Sequence, residues 1–200
     1  YSITSTFTAT SYDTDPENNN AAVNATVLAP NGNDTGHLGH LYSSGWDGDD
    51  FWKITIPQDG KLVVSTVADT TLEIDLYLYD VDHSTQITGY DIGYGTREAT
   101  HHNALEPGTY YVRAYLWGGY GSYTITSTFT PTSRENDLEP NDLVAQAVQL
   151  PINTTNTGHL GHHSLGKTDG DDYWKITLPA DGILSVSTVA DTTVELDLYM

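Results

Sequence analysis

Cysteine is absent from the 200-residue chain, so no disulfide braces it and no thiolate chemistry is open to it. Basic residues are scarce too. Only 7 Lys and Arg stand against 27 Asp and Glu, a formal net charge of -20. Phosphates and anionic lipid surfaces are repelled by such a charge, which excludes nucleic acid as a general partner. No run approaches the roughly 18 apolar residues of a membrane-spanning helix, so no membrane insertion is expected. No signal peptide is visible at Tyr1. Catalytic signatures are missing as well. There is no Gly-x-Ser-x-Gly elbow, no His-Glu-x-x-His helix and no cysteine nucleophile, and the expectation is that the chain is not an enzyme.

The chain does contain itself, nearly twice. Tyr1-Ser-Ile-Thr-Ser-Thr-Phe-Thr8 recurs as Tyr123-Thr-Ile-Thr-Ser-Thr-Phe-Thr130, Thr35–His40 recurs as Thr157–His162, and Val64–Thr71 recurs as Val186–Thr193. Laid over one another without a gap at an offset of about 122, residues 1–78 and 123–200 share roughly 45 identities. The frame that follows assigns residues 1–11 to the last strand of one repeat, 12–133 to a complete repeat and 134–200 to the first part of the next. The expectation from this frame is a chain that continues past Met200, or a half-repeat completed by a neighbouring molecule. The period is too long for one coil of a solenoid, so each repeat is expected to be a domain.

Within the repeat the periodicity is two. Trp52, Ile54 and Ile56 share one face of a strand, and Ile74, Leu76 and Leu78 share another, with Glu73, Asp75 and Tyr77 turned outward. Lys61–Val67, Thr109–Leu116 and Ser122–Phe129 alternate in the same way, separated by turn sequences such as Pro57-Gln-Asp-Gly60 and Gly118-Gly-Tyr-Gly121. The only helical turns expected follow Asn19-Asn20 and Asn141-Asp142. The predicted fold class is all-β, an antiparallel β-sandwich with jelly-roll-like connections, repeated in tandem. With 38% apolar residues and 21 aromatics the chain can fill such a core.

Four stretches in this order resemble the bacterial pre-peptidase C-terminal (PPC) domain. They are Asp137-Leu-Glu-Pro-Asn-Asp142 leading into Ala145; Asp169-Gly-Asp-Asp-Tyr-Trp-Lys-Ile-Thr-Leu-Pro179 with its twin Asp47–Pro57; Leu72–Asp80; and Glu106-Pro-Gly-Thr-Tyr-Tyr-Val-Arg-Ala-Tyr115 running on to Thr124. The resemblance implies a module found behind secreted proteases and collagenases, outside the cell or on its surface. It also implies bound calcium where the head segment meets the start of the sandwich. The matching positions are Asp137, Glu139, Asn141, Asp142, Asp169 and Asp172, and in the earlier copy Asp15, Glu17, Asn19, Asn20, Asp47 and Asp50. The earlier copy departs from the pattern at its head, which reads Asp15-Pro-Glu-Asn-Asn-Asn20, with Asn20 in place of Asp142.

The chemistry suits Ca2+, which takes about six to eight hard oxygens. Alternate residues of an extended segment point the same way, so Asp137, Glu139 and Asn141 can converge. The alternative is a set of solvated loop acids in a very acidic protein. His37 and His40, and His159 and His162, stand three apart; on a strand such positions face opposite ways, so they read as surface or packing histidines, as does the pair His101-His102. Tyr77, Tyr79, Tyr90, Tyr94, Tyr111, Tyr115 and Tyr120 can pack the core or form an aromatic strip for a polysaccharide or fibrous protein. Asn24, Asn33 and Asn153 head glycosylation sequons.

Two functions fit. One is an extracellular structural repeat protein, a calcium-stabilised array forming a cell-surface or filament assembly whose partners are neighbouring copies joined by strand pairing. The other is a substrate-binding accessory domain of a secreted hydrolase.

Overall fold

Alternating apolar residues lay down the strands of the molecule, which is known here as a computed structural model describing residues 1–8, 18–42, 45–89, 96–100, 105–132, 139–164, 166–191 and 194–200. It divides into two units, Tyr1–Ser133 and Arg134–Met200.

The first unit begins with a 3-10 turn, Ala22–Asn24, followed by β1 (Thr26–Val27), β2 (Asn33–Leu38), β3 (Leu41–Tyr42), β4 (Gly45–Trp46) and β5 (Asp49–Ile56). Then come β6 (Gly60–Ala68), β7 (Leu72–Tyr79), β8 (Gln86–Gly89), β9 (Thr96–Thr100), β10 (Gly108–Gly119) and β11 (Gly121–Pro131). One sheet runs β1-β5-β10-β7-β8 and the other β2-β11-β6-β9. Pairing is antiparallel in both, except that β1 lies parallel to β5, Thr26 opposite Trp52.

Both sheets supply one shared core. Trp52, Ile54, Ile56, Leu72, Ile74, Leu76, Leu78, Tyr110, Val112 and Ala114 come from the first, and Leu38, Leu62, Val64, Tyr123, Ile125 and Phe129 from the second. This is a β-sandwich, and the strong period-two alternation of β5, β6 and β7 is what it buries. One outward position departs from the alternation. Asp75 is buried, because it lies opposite Tyr115 and accepts the Tyr77 hydroxyl at 3.3 Å.

Tyr110 shows how a large side chain is kept inside with its polar end satisfied. Its hydroxyl donates to the Glu106 carbonyl at 2.8 Å, four residues back across the Pro107-Gly108 turn. Burial, reinforced by the charges of Asp80, Glu106 and Asp59, pushes that hydroxyl's pKa far above its ordinary value, so it stays a donor. Tyr110→Phe should therefore cost about 1 kcal/mol, read as a lower denaturant midpoint with an unchanged slope.

The second unit repeats the head of the first. A 3-10 turn at Val144–Gln146 precedes β12 (Val148–Gln149), which pairs in parallel with β15 (Trp174–Lys175), Val148 opposite Trp174. Between them β13 (His163–Ser164) and β14 (Lys167–Thr168) form a small antiparallel pair. The strands expected at Tyr173–Pro179 and Ile183–Val189 are not formed beyond β15, and Ile183 and Val189 are fully exposed. A strand needs a partner: β5 and β6 are each flanked by paired strands, whereas among the described residues of the second unit only β12 pairs with this region, at β15.

Candidate metal site

Each unit clamps an acidic turn between its head segment and a glycine bend. In the first, the Phe51 amide donates to the Asn19 carbonyl at 2.9 Å, the Asp47 amide to the His40 carbonyl at 2.8 Å, and the Gly39 amide to the Asp47 carbonyl at 2.9 Å. In the second, Tyr173 donates to Asn141 at 3.0 Å, Asp169 to His162 at 2.8 Å and Gly161 to Asp169 at 2.7 Å. The local sequence Asp-Gly-Asp-Asp thus leads into β5 in the first unit and toward β15 in the second, with Asp49 turned to Arg113.

In the second unit one oxygen each from Glu139, Asp169 and Asp172 lies within 4.8 Å of the others. Asn141 is buried beside them, and its amide nitrogen donates to Glu139 Oε2 at 2.8 Å. Oδ1 of Asp172 is buried and accepts no hydrogen bond. Burial raises the Asp172 pKa above the usual carboxylate range; an Asn141 hydrogen bond opposes the rise, and the negative charges of Glu139 and Asp142 add to it. Hard oxygens gathered under mutual repulsion are the donor chemistry a divalent calcium ion suits.

In the first unit Asn19, Asp47 and Asp50 are all wholly buried. With the Asn20 amide turned so that its nitrogen meets acceptors, it donates to Asp47 Oδ1 at 3.2 Å and to the Asp49 carbonyl. The Tyr123 hydroxyl of β11 donates to Asp50 Oδ2 at 2.6 Å and itself accepts the indole N–H of Trp52 at 2.9 Å. Tyr123 carries no signal in the sequence beyond an inward strand position. Of the residues expected at the two sites, Asn19, Asn20, Asp47 and Asp50 come together in one unit and Glu139, Asn141, Asp169 and Asp172 in the other. Asp142 is exposed but close enough to act on Asp172 through its charge. Asp15, Glu17 and Asp137 lie outside the described residues.

The histidines behave differently from the expectation for a strand. Gly39 and Gly161 take φ of 87° and 83°, bending the chain so that residues three apart meet. The rings of His37 and His40 stand edge-on with centroids 6.2 Å apart, as do those of His159 and His162. His101 and His102 lie outside the described residues. Gly161–Thr168 has the glycine and Gly-Lys-Thr spacing of a phosphate loop, but β13 and β14 place it in a hairpin with no helix to follow, so the phosphate cradle is not built.

Of the expected aromatic strip, Tyr77, Tyr79, Tyr111 and Tyr115 lie half-buried on the outer face of the β5-β10-β7 sheet with Phe51. Arg113 sits among them, 4.5 Å from the Tyr115 ring and bonded to Asp49 Oδ1 at 2.5 Å. Tyr120 is exposed in the β10–β11 turn, and Tyr90 and Tyr94 lie outside the described residues.

A two-sheet sandwich headed by a clamped acidic turn defines a small β module with a candidate cation site. Residues 48–116 match the family model of the bacterial pre-peptidase C-terminal domain. That match lies within the first unit and runs from just before β5 into β10. Two similar solved structures are the pre-peptidase C-terminal domain of collagenase from Bacillus anthracis and PliG, a periplasmic inhibitor of g-type lysozyme, from Aeromonas hydrophila. The first is 18% identical, covers 52% of this chain and 93% of its own, and has a TM-score of 0.42. The second is 9% identical, covers 53% of this chain and 97% of its own, and has a TM-score of 0.37. None of the curated proteins compared matches the chain. Among the described residues no helix is long and apolar enough to cross a membrane.

Proposed function

We propose that the chain is part of an extracellular structural repeat protein whose β-sandwiches are stiffened by calcium at their heads, acting by binding and assembly and not by catalysis. The observation that carries the calcium reading is the convergence of Glu139, Asp169 and Asp172 within 4.8 Å around a buried Asp172 oxygen. Asn141 and Asp142 would complete that site, with Asp137 from the head segment. Asn19, Asn20, Asp47 and Asp50 would hold the ion in the first unit, with Asp15 and Glu17. A bound ion would neutralise the crowded carboxylates and tie the head segment to the sandwich within each domain. Neighbouring copies would join by strand pairing. That reading is supported by Tyr1–Thr8, which repeats Tyr123–Thr130 in sequence and lies exposed outside any strand.

Calorimetric titration of the intact chain tests the calcium reading and should detect two ions per chain. The second site should be the tighter, because Asp142 supplies a charge where the first has Asn20. Asn20→Asp should tighten the first site by up to about tenfold and Asp142→Asn should weaken the second by as much, an interaction of roughly 1.4 kcal/mol between partly exposed charges. A chain that binds no calcium at millimolar concentration overturns the reading.

The second reading is a substrate-binding accessory domain of a secreted hydrolase. The PPC family match favours it, as does the outer aromatic face around Arg113. Cosedimentation of the chain with insoluble collagen or polysaccharide, abolished by Tyr115→Ala, would decide for it over the array.

A further inference from the structure

In the first unit the aspartate that enters β5 is held by a tyrosine from the other sheet. In the first unit the inward face of β11 brings the Tyr123 hydroxyl over Gly36, whose missing side chain leaves the space that the hydroxyl fills. From there it donates to Asp50 Oδ2 at 2.6 Å while the Trp52 indole donates to it at 2.9 Å. All three side chains are buried, so neither bond is exchanged for water. At Gly158, the counterpart of Gly36, the same space is taken by the aspartate itself. A Cβ there would lie 2.6 Å from Asp172 Oδ2 and 3.4 Å from the Trp174 ring. Asp172 is held there by a hydrogen bond from Asn141, and its Oδ1 is buried without one.

We infer that Tyr123 is a positioning residue for the cation site of the first unit. By fixing Oδ2 of Asp50 it aims Oδ1 at the ion, and it makes the site depend on the docking of β11, the last strand of the sandwich. Trp52 fixes the hydroxyl in turn, since its N–H can only donate and so leaves the Tyr123 proton for Asp50. The inference rests on the calcium reading of the previous section. Closure of the sandwich and loading of its head are then one event, so a domain whose final strand is displaced loses its ion.

The test uses the 200-residue chain carrying Asp169→Asn, which silences the second site, with calorimetric titration of calcium and a melt in chelator. Tyr123→Phe keeps the ring and removes only the hydroxyl. It should weaken calcium binding about 10- to 100-fold, the usual effect of losing a group that orients a ligand. Tyr110→Phe removes a different buried hydroxyl from the same core and should leave the affinity within about twofold while lowering the chelator melt comparably. Gly36→Ala keeps the hydroxyl but crowds it off its place and should weaken binding as Tyr123→Phe does. The inference is overturned if Tyr123→Phe binds as tightly as its parent, or if Tyr110→Phe weakens binding equally. If the Asp169→Asn parent binds nothing while the unmodified chain binds one ion, this inference fails and the calcium reading survives for the second unit. If the unmodified chain binds none, both fail.

Discussion

Trp52→Ala should unfold the first unit at room temperature or bring it close to doing so, with a loss of about 3–5 kcal/mol. Trp52 is wholly buried in the middle of β5, where Val112 lies opposite it on β10 and Thr26 lies opposite it on β1. Removing the indole opens a cavity between the two sheets, and the ladder on both sides of β5 limits how far the walls can collapse. It also removes the donor to the Tyr123 hydroxyl, the group that donates to Asp50. Stabilities of domains this size are about 5–15 kcal/mol, so the loss takes a large part of the total. Denaturant melts followed by tyrosine fluorescence would measure it. Trp52→Phe should recover more than half of the loss, because most of it is volume. A loss below about 1 kcal/mol would mean that the sheets close over the gap, contrary to their packing here.

The sandwich was legible in the sequence because β5, β6 and β7 keep a period of two, and burial follows it along all three strands except at Asp75. Local sequence did not suffice where partners decide. Tyr1–Thr8 and Tyr123–Thr130 are nearly the same octapeptide, yet Tyr1, Ile3 and Phe7 are about as exposed as side chains can be, whereas Tyr123, Ile125 and Phe129 are core. A strand is a relation between segments, and its propensity is largely the packing it finds. The candidate acidic site came from the family resemblance, and the part of it that local sequence carries is short. Asp47 and Asp50 share one turn, and the head that meets them through Asn19 lies about thirty residues away in a fixed frame. Tyr123 was not legible, because it reaches Asp50 from a strand 73 residues on. The histidine pairs were misread at one point only, the positive φ of Gly39 and Gly161, which converts opposite faces into one corner. A glycine inside an apparent strand was the available signal.

Calcium should raise the melting temperature of the chain by a margin large enough to see in a simple scan. A single site at one hundred times its dissociation constant adds roughly 2.7 kcal/mol to the folded state, provided the unfolded chain binds weakly. For a domain of this size that corresponds to a rise on the order of ten degrees. The gain would belong to folding because the proposed ligands come from segments that only the fold brings together, the head at Asn19 and Asn20 and the turn at Asp47 and Asp50, with Tyr123 of β11 holding Asp50. Unfolded, the same carboxylates are scattered along the chain and bind too weakly to offset it. Magnesium at equal concentration should give much less, since it demands a tight octahedron and sheds its water reluctantly. High sodium chloride should raise the chelator melt somewhat by screening the -20 charge, so the comparison needs constant ionic strength. The two units should respond separately. Asp50→Asn should remove the increment from the transition that reports the first unit, and Asp172→Asn should leave that transition alone. Identical melts in calcium and in chelator, at matched ionic strength, would show that these carboxylates are solvated acids with no ion to gather.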